Sequence, residues 1–542
     1  MSFLGHGLLL LNDGLYFDAW LFDTHSKLGN YDLLYQWQRD HGRPLSGVYY
    51  IIAGILFSNI FVHKIFIFIL ILLSAFIIHD LAYRFGFGKR DSLLVGLVSM
   101  LFPAYQTYAD HSSNAQIVNQ AQFYLGVWLI LASSKWRFTV RSLAILSAIV
   151  FFIFSFSTES YWALYFAFLL LLVCEKYVAS TDVISAIKSL FSRQWFLAVL
   201  PFAYFLITRI YFAPQGLYKD YTQPSLDNVM SPLLWARFLN NSIVRILQWC
   251  FGSGMVDSFV VTGGKSWILW VASGAVIFLP LFDKWSEQGL STISTKKIFI
   301  IGVFLMLFAS LPFVSGARIP SLHGYESRYN LMVGLAIAVL YVCFLRIIES
   351  TLLILFSLRT KKIITNVIIG IVLLCFINAQ FVNYLAWQAE WVQDRSWLEN
   401  LKDQPLVNNI SIFELNDQWD DFDNEVVNKY FQNDRTLELS VMLQRTLNND
   451  KYPLGLTGNP IELQLTGVYR QIFFLDKYDI KGCRAEIIVR RTQRSKNIQQ
   501  FEMVSYYWYV RIFDNNKLLE YLKSLTDVKL VLQTSNNPKC YS

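Results

Sequence analysis

The sequence predicts a mainly α-helical fold: a polytopic transmembrane helix bundle of about 10 spans, followed by a C-terminal extracytoplasmic α/β domain. Three observations carry this reading. Apolar residues make up 54% of the 542 residues and aromatic residues 16%, while charged residues are held to 16%, a balance common in polytopic membrane proteins and rare in water-soluble ones. Apolar runs recur between residues 49 and 383, most of them near the ~20 residues a helix needs to cross the hydrocarbon core. Past residue 384 the composition shifts abruptly to that of a soluble domain.

Taken in order, residues 1–48 read as an external N-terminal segment. Its apolar stretch Phe3–Leu11 is too short to span. It reads either as a half-inserted segment or as the end of a span that precedes it, and the lack of a basic stretch before it argues against a cleavable signal peptide. The bundle occupies residues 49–383, with spans expected near 49–78, 92–104, 115–133, 139–156, 161–178, 195–212, 266–282, 298–315, 329–348 and 363–383. The second is short and ends at Pro103. Within the long segment 213–265, Trp235, Phe238, Leu239, Ile243, Ile246 and Leu247 alternate with Arg237, Asn240 and Arg245, the spacing of a helix lying in the membrane interface. Residues 384–542 form a soluble α/β domain of a normal size. Its β-like runs are Ile410–Leu415, Ala485–Arg490, Val504–Phe513 and Val528–Gln533, and Asn516–Leu525 reads as helix. Neither a Walker loop nor GxGxxG is present.

Orientation follows from Lys and Arg. One set of short loops holds Arg84, Lys89 and Arg90, then Lys135, Arg137 and Arg141, then Arg346, Arg359, Lys361 and Lys362. The loops 105–114 and 157–160 on the other side hold none, and 316–328 holds two. The first set is therefore expected in the cytoplasm. The net charge of +7 then reflects membrane topology and does not imply nucleic acid. Cys174, Cys343 and Cys375 fall in apolar spans as small hydrophobes, whereas Cys483 and Cys540 could pair if their domain is extracytoplasmic.

With this threading every chemically unusual cluster falls on the outer side. The first external segment carries Asp13 and Asp18 in Asn12-Asp13-Gly14-Leu15-Tyr16-Phe17-Asp18. A carboxylate held at the membrane boundary is partly desolvated and suits a base for an alcohol or amine acceptor. Arg43 precedes the first span and could hold a lipid phosphate bidentately or simply snorkel. The loop 105–114 contributes Tyr105, Asp110 and His111, and Gln116, Asn119, Gln120 and Gln122 carry its polarity into a span. Unsatisfied polar groups are costly there, so these should line a sugar-sized cavity or bind one another. Glu159 sits between two spans with almost no loop and calls for a cationic partner. The stretch 318–330 is the densest: Arg318, His323, Glu326, Arg328 and Tyr329 could clamp a phosphate or form an ion-paired loop. No HExxH, CxxC or EF-hand pattern marks a metal site.

The acidic first external loop, the polar outer loops, the late Arg-Tyr loop and the external soluble domain together resemble the GT-C class of integral membrane glycosyltransferases. Protein O-mannosyltransferases, lipid A aminoarabinose transferases and oligosaccharyltransferases share this plan. The resemblance covers residues 1–385 in topology. It implies a polyprenyl-phosphate lipid donor, a glycan, lipid or protein acceptor, and transfer with inversion. It makes Asp13 the catalytic base by placement, with Asp18 second and Glu159 a further candidate. Arg328, helped by Arg318, Arg43 and Tyr329, would bind the donor phosphate, and Tyr105, Asp110, His111, His323 and Glu326 would line the substrate cavity. Asn12-Asp13 stands where several such families carry an Asp-Glu pair, which leaves a divalent cation possible. A polysaccharide polymerase or ligase using a pyrophosphate-linked glycan is the alternative. A lipid or sugar transporter would instead place charges near the midplane. The expected location is a bacterial or archaeal plasma membrane.

Overall fold

A computed structural model describes residues 1–16, 18–57, 59–158, 160–180, 183–215, 219, 224–262, 264–278, 293–417, 436–447, 454–456 and 483–533. Helix dominates these residues. Five helices are long and apolar enough to cross a membrane: Ile60–Arg84, Phe138–Ser155, Thr295–Ser315, Val333–Leu352 and Arg359–Leu401. Pro44–Leu56, Tyr161–Leu172 and Trp195–Tyr211 are shorter apolar helices. Lys89–Leu101 and Asn114–Ala132 pack among them.

The structure corrects three readings. The expected first span, 49–78, is two helices, Pro44–Leu56 and Ile60–Arg84. The break is set by Asn59, whose side chain accepts from the Phe61 amide at 2.8 Å and caps the second helix; the apolar residues on both sides conceal it. Val504–Phe513, read as a β-run, lies in the helix Gln500–Phe513. Met503, Val504, Tyr507, Trp508 and Val510 form its buried face, and docking of that face overrides the β preference of aromatic residues. The amphipathic stretch near 233–251 is helical, but Pro232–Leu239, Arg245–Gln248 and Gly254–Thr262 are linked by π-turns at Asn240–Val244 and Trp249–Ser253. Such turns widen a helix locally and rotate its apolar face.

The N-terminal apolar stretch folds as a short helix, Ser2–His6, and a 3-10 turn, Gly7–Leu10. It packs into the bundle. His6 Nε2 donates to the Met100 carbonyl at 2.9 Å, leaving Nδ1 to accept from the Tyr384 hydroxyl at 2.7 Å.

The helix Leu358–Leu401 runs through the expected boundary at 384 without a break. Trp387, Trp391 and Trp397 are buried along its outer part. There Ser396 donates to the Leu522 carbonyl and Asn400 to the Thr526 carbonyl, both at 2.7 Å. One rigid element thus joins the apolar bundle to the C-terminal domain. That domain holds a sheet of order β2-β1-β3-β4, with β1 Ile410–Asp417, β2 Leu454–Leu456, β3 Cys483–Arg491 and β4 Thr526–Leu532. β1 runs parallel to β2 and β3, and β4 is antiparallel to β3. Ala485, Ile487 and Val489 alternate toward the buried face. Cys483 is disulfide-bonded; Cys540 lies outside the described residues.

At the opposite end of the bundle, Asp91 is buried between two arginines. Arg346 reaches it through Nε at 2.7 Å and Nη2 at 2.6 Å, and Arg90 through Nη2 at 3.3 Å. Arg90 also meets Glu349 at 2.6 Å. Removing one partner of a buried pair leaves an uncompensated charge. Asp91→Asn is therefore expected to destabilise the protein by about 3 kcal/mol, read as a lowered midpoint of thermal unfolding in detergent.

Candidate functional site

Asn12 begins the site. Its carboxamide oxygen accepts from the Gly14 amide at 3.1 Å, and its amide nitrogen donates to the Tyr16 hydroxyl at 3.0 Å. This side-chain turn reverses the chain. A Cβ on Gly14 would fall 2.1 Å from the Tyr16 oxygen, so only glycine fits. Tyr16 in turn donates to the Trp387 carbonyl at 2.6 Å. The turn delivers Asp18 to the N-cap of the helix Ala19–Lys27, where its side chain makes no capping bond.

Asp18 opens onto a cavity of about 560 Å³. Burial raises its pKa from 3.8 to about 6; the Asp110 charge adds to this and Arg328 opposes it. Around the same cavity stand Arg43, Arg209, Arg318 and Arg328. Its floor carries Ser112, Ser113, Gln116, Ser157 and Thr158, and its far wall is aromatic: Trp162, Phe166, Phe202 and Phe205. Phe202 is 63% exposed and Phe205 56%, so this wall continues onto the outer surface of the bundle.

Local structure fixes the arginines. Gly42, at φ 79°, turns the chain between His41 and Arg43. His41 is held neutral, its pKa pushed well down by burial and then by the Arg43 charge. Arg318 follows the helix Thr295–Ser315 in a Schellman-type end. The Arg318 amide bonds to the Phe313 carbonyl at 2.8 Å and the Ala317 amide to that of Val314 at 3.0 Å. Ala317 takes φ 52°, a left-handed conformation that disfavours a side chain. Arg318 and Arg328 both donate to the Tyr329 hydroxyl at 3.3 Å. Arg328 also lies 3.6 Å from the centre of the Tyr325 ring, a cation–π contact that holds the planar group in place.

The floor rests on Asp110. Its carboxylate accepts from the hydroxyls of Ser112 and Ser113 at 2.5 and 2.7 Å and from both their amides at 3.1 Å. Burial raises its pKa, while these bonds and the Lys64 charge oppose the rise. Lys64, fully buried, donates to the Ala109 carbonyl. Gln106 ties this loop to the arginine loop: its amide donates to Ser327 at 3.1 Å and its side chain to the Leu322 carbonyl at 2.9 Å. Asn119 donates to Ser157 and Thr158, both at 2.8 Å. The polar residues of that helix therefore split between the cavity (Gln116) and internal bonding (Asn119).

Among the residues expected from sequence, Asp18, Arg43, Arg318, Arg328 and Tyr329 line the cavity. Asp13 does not: it faces the C-terminal domain, 2.6 Å from Arg511. Tyr105, Asp110, His111, His323 and Glu326 lie behind or beside the wall. Tyr105 packs edge-on against Tyr108. His111 packs on His63 with ring centres 4.1 Å apart, its pKa lowered to about 4 by burial and then by Lys64. His323 packs on Trp249, and Glu326 sits 3.7 Å from Arg328. Glu159 lies outside the described residues. Tyr325, within the expected 318–330 cluster, also lines the cavity, as does Arg209, which the sequence reading did not single out; a lone Arg near the end of the apolar stretch Trp195–Tyr211 was the available signal for Arg209. Among the described residues no three His, Cys, Asp or Glu side chains converge as a ligand set. Comparison with protein families, characterised proteins and solved structures finds no match to this chain.

The energetic centre of the floor is testable. Asp110→Ala leaves Lys64 buried beside the lost charge and is expected to cost about 3–5 kcal/mol, against about 1 kcal/mol for Ser113→Ala. Denaturation of the two variants in the same detergent checks the ratio.

Proposed function

We propose that this chain is a membrane glycosyltransferase that moves a sugar from a polyprenyl-phosphate donor to an acceptor on the extracytoplasmic side. One observation carries the reading: a single cavity sets a carboxylate, Asp18, among four arginines, and its aromatic wall leads out along the lipid-facing surface. An anionic lipid headgroup fits the arginines, its tail fits the aromatic wall, and the space beside Asp18 suits a sugar and an attacking hydroxyl. The base is assigned to Asp18 and not to Asp13, whose oxygens are occupied by Arg511, Tyr507 and Gln388.

In the proposed reaction Asp18 orients the acceptor hydroxyl and takes its proton as the oxygen attacks the anomeric carbon. The bond from that carbon to the phosphate oxygen breaks on the opposite face, and configuration inverts. Arg328 and Arg318 stabilise the charge left on the phosphate. The membrane holds the donor beside the site, removing part of the entropic barrier. Ten passes would place the arginine-paired Asp91 end in the cytoplasm and the cavity and C-terminal domain outside. The positively charged loops support that orientation, as does the disulfide-bonded Cys483. A pyrophosphate-linked glycan donor is the second reading, favoured by the presence of four guanidinium groups around one cavity, since a pyrophosphate diester carries two negative charges where a phosphodiester carries one.

Asp18→Asn is expected to abolish transfer while leaving folded yield unchanged, measured with polyprenyl phosphohexose donors in nanodiscs. Full activity in that variant would sink the assignment. Polyprenyl phosphate competing better than polyprenyl pyrophosphate supports the monophosphate donor; the reverse order favours the second reading.

The pH profile gives an independent check. Asp18 faces Asp110 below it and Arg328, Arg318, Arg43, Arg209 and neutral His41 across the cavity. Only its ionised form is a base, so activity should rise with pH through about 6. Arg328→Ala removes the charge that favours ionisation and should move this limb to higher pH. The folded pKa lies above 3.8, so the folded state binds the Asp18 proton more tightly than the unfolded one. Its contribution to stability therefore falls as pH rises from about 4 to about 6, and Asp18→Asn should remove that slope.

A further inference from the structure

The N-terminal segment that carries Asp18 is held by the C-terminal domain at two points. Asp13 and Asp23 stand five residues before and five residues after Asp18. Asp13 meets Arg511 Nη1 at 2.6 Å and accepts from the Tyr507 hydroxyl at 2.6 Å. Arg511 also donates to the Leu11 carbonyl at 2.9 Å, and Arg395 supports Tyr507 from the long helix at 3.1 Å. Burial, and then the Asp13 charge, push the Tyr507 pKa up, so it stays a neutral donor. On the other side Asp23 pairs with Arg445 of the helix Thr436–Leu447. The Arg445 guanidinium lies 5.2 Å from the Trp20 ring, and Trp20 packs on Trp391 at 5.4 Å.

Resting on the glycosyltransferase reading above, we propose that Asp13–Arg511 and Asp23–Arg445 form a two-point clamp by which the C-terminal domain positions Asp18 in the cavity. The segment between the clamps is packed, with Leu21 and Phe22 buried and Tyr16 bonded to the Trp387 carbonyl. The Asp18 side chain, however, makes no capping bond to its own helix, so its direction follows how the segment as a whole is held. Their inward contacts are aromatic: Phe22 stacks on Tyr50 at 3.9 Å and on Trp37 at 5.0 Å. Stacking resists motion normal to the rings but permits sliding in their plane. The ion pairs add a directional restraint to this packing, anchoring both ends against the helix Gln500–Phe513 and the helix Thr436–Leu447. A displacement near 1 Å at a reacting group costs roughly 100-fold in rate. The clamp residues touch no part of the cavity, so they act through Asp18: they are positioning residues. On this account the C-terminal domain completes the active site, and anything that binds the domain and shifts either helix is felt at Asp18.

The test uses the full chain in lipid nanodiscs, with Arg445→Ala, Arg511→Ala and the exchanged pair Asp23→Arg/Arg445→Asp. Two readouts are taken. The first is hydrogen exchange of the peptide spanning 14–22. Either single variant should speed it by about 10-fold or more, and the exchanged pair should restore protection. The second is the pH dependence of binding of a polyprenyl phosphohexose, whose phosphodiester does not titrate in this range. Binding should weaken as Asp18 ionises, with a midpoint of about 6 in the unaltered chain. In the single variants the midpoint should fall toward the ordinary carboxylate value as Asp18 becomes hydrated, and the exchanged pair should return it. A domain that merely docks would lower thermal stability without moving the midpoint. Unchanged exchange over 14–22 in both single variants overturns the clamp. So does a midpoint that Asp18→Asn removes but the clamp variants leave in place, which keeps the function reading intact. A lipid that fails to bind, or binding indifferent to Asp18→Asn, defeats the function reading instead, and the exchange measurement still judges the clamp.

Discussion

A carboxylate taken out of water has to find donors or a cation, and at Asp110 the protein supplies both. Four bonds from Ser112 and Ser113, with Lys64 beneath, use up the charge within its own loop. The consequence is geometric. Satisfying Asp110 forces the two serines into one tight turn, and that turn is the cavity floor. Tyr50 donates to the Ser112 carbonyl from the helix on one side, and Gln106 reaches across to the arginine loop on the other. The site is therefore built by polar groups that the membrane would otherwise penalise, each closing on the next.

Against this floor the cavity sets up an imbalance. Asp18 is buried near another acid, so its proton is held to about pH 6, while Arg318 and Arg328 converge on one tyrosine oxygen. Two guanidinium groups this close repel each other, and aromatic faces and a shared acceptor offset only part of that repulsion. An anion entering between them relieves it. The same anion disfavours an ionised Asp18, so anion binding and the protonation of Asp18 are linked through the field of one small space. That linkage suits a reaction in which negative charge passes toward the arginines as a proton reaches the carboxylate.

Much of the class was legible in the sequence, because membrane passage constrains composition and length directly. The apolar runs, the basic loops and the change of composition after residue 384 needed no structure. The arginine loop was legible too, since Arg318, Arg328 and Tyr329 fall together in thirteen residues (318–330) and the structure brings all three to the cavity. The choice between Asp13 and Asp18 was not. Both follow the same apolar stretch, and what separates them is a partner almost five hundred residues later, Arg511, which occupies the first and leaves the second. Likewise the dense polarity of 105–114 correctly marked a place where backbone and side chains must be satisfied. Pattern alone does not tell whether such groups face a substrate or protein partners, and Tyr105, Asp110 and His111 turn to protein partners: Tyr108, the two serines and His63. The helical state of Val504–Phe513 depended on the docking of Tyr507 and Trp508, another long-range fact.

The unbroken helix Leu358–Leu401 explains how distant parts can share one site. A composition boundary at 384 suggests two domains joined by a linker, and linked domains move against each other by default. Here the linker is replaced by helix. Gln388 on that helix bonds to Asp13, Trp387 holds Tyr16 through its carbonyl, and Trp391 supports Trp20. Further along, Ser396 and Asn400 are bonded into the C-terminal domain. The same four turns therefore carry both the segment bearing Asp18 and the domain that grips it. Since a helix transmits displacement along its axis with little loss, the domain and the cavity floor are referred to one frame. A flexible linker at 384 would leave the half-buried ion pairs of Asp13 and Asp23 to set that frame alone, against the conformational entropy of the linker. The proposed clamp depends on the helix having already brought its two halves into register.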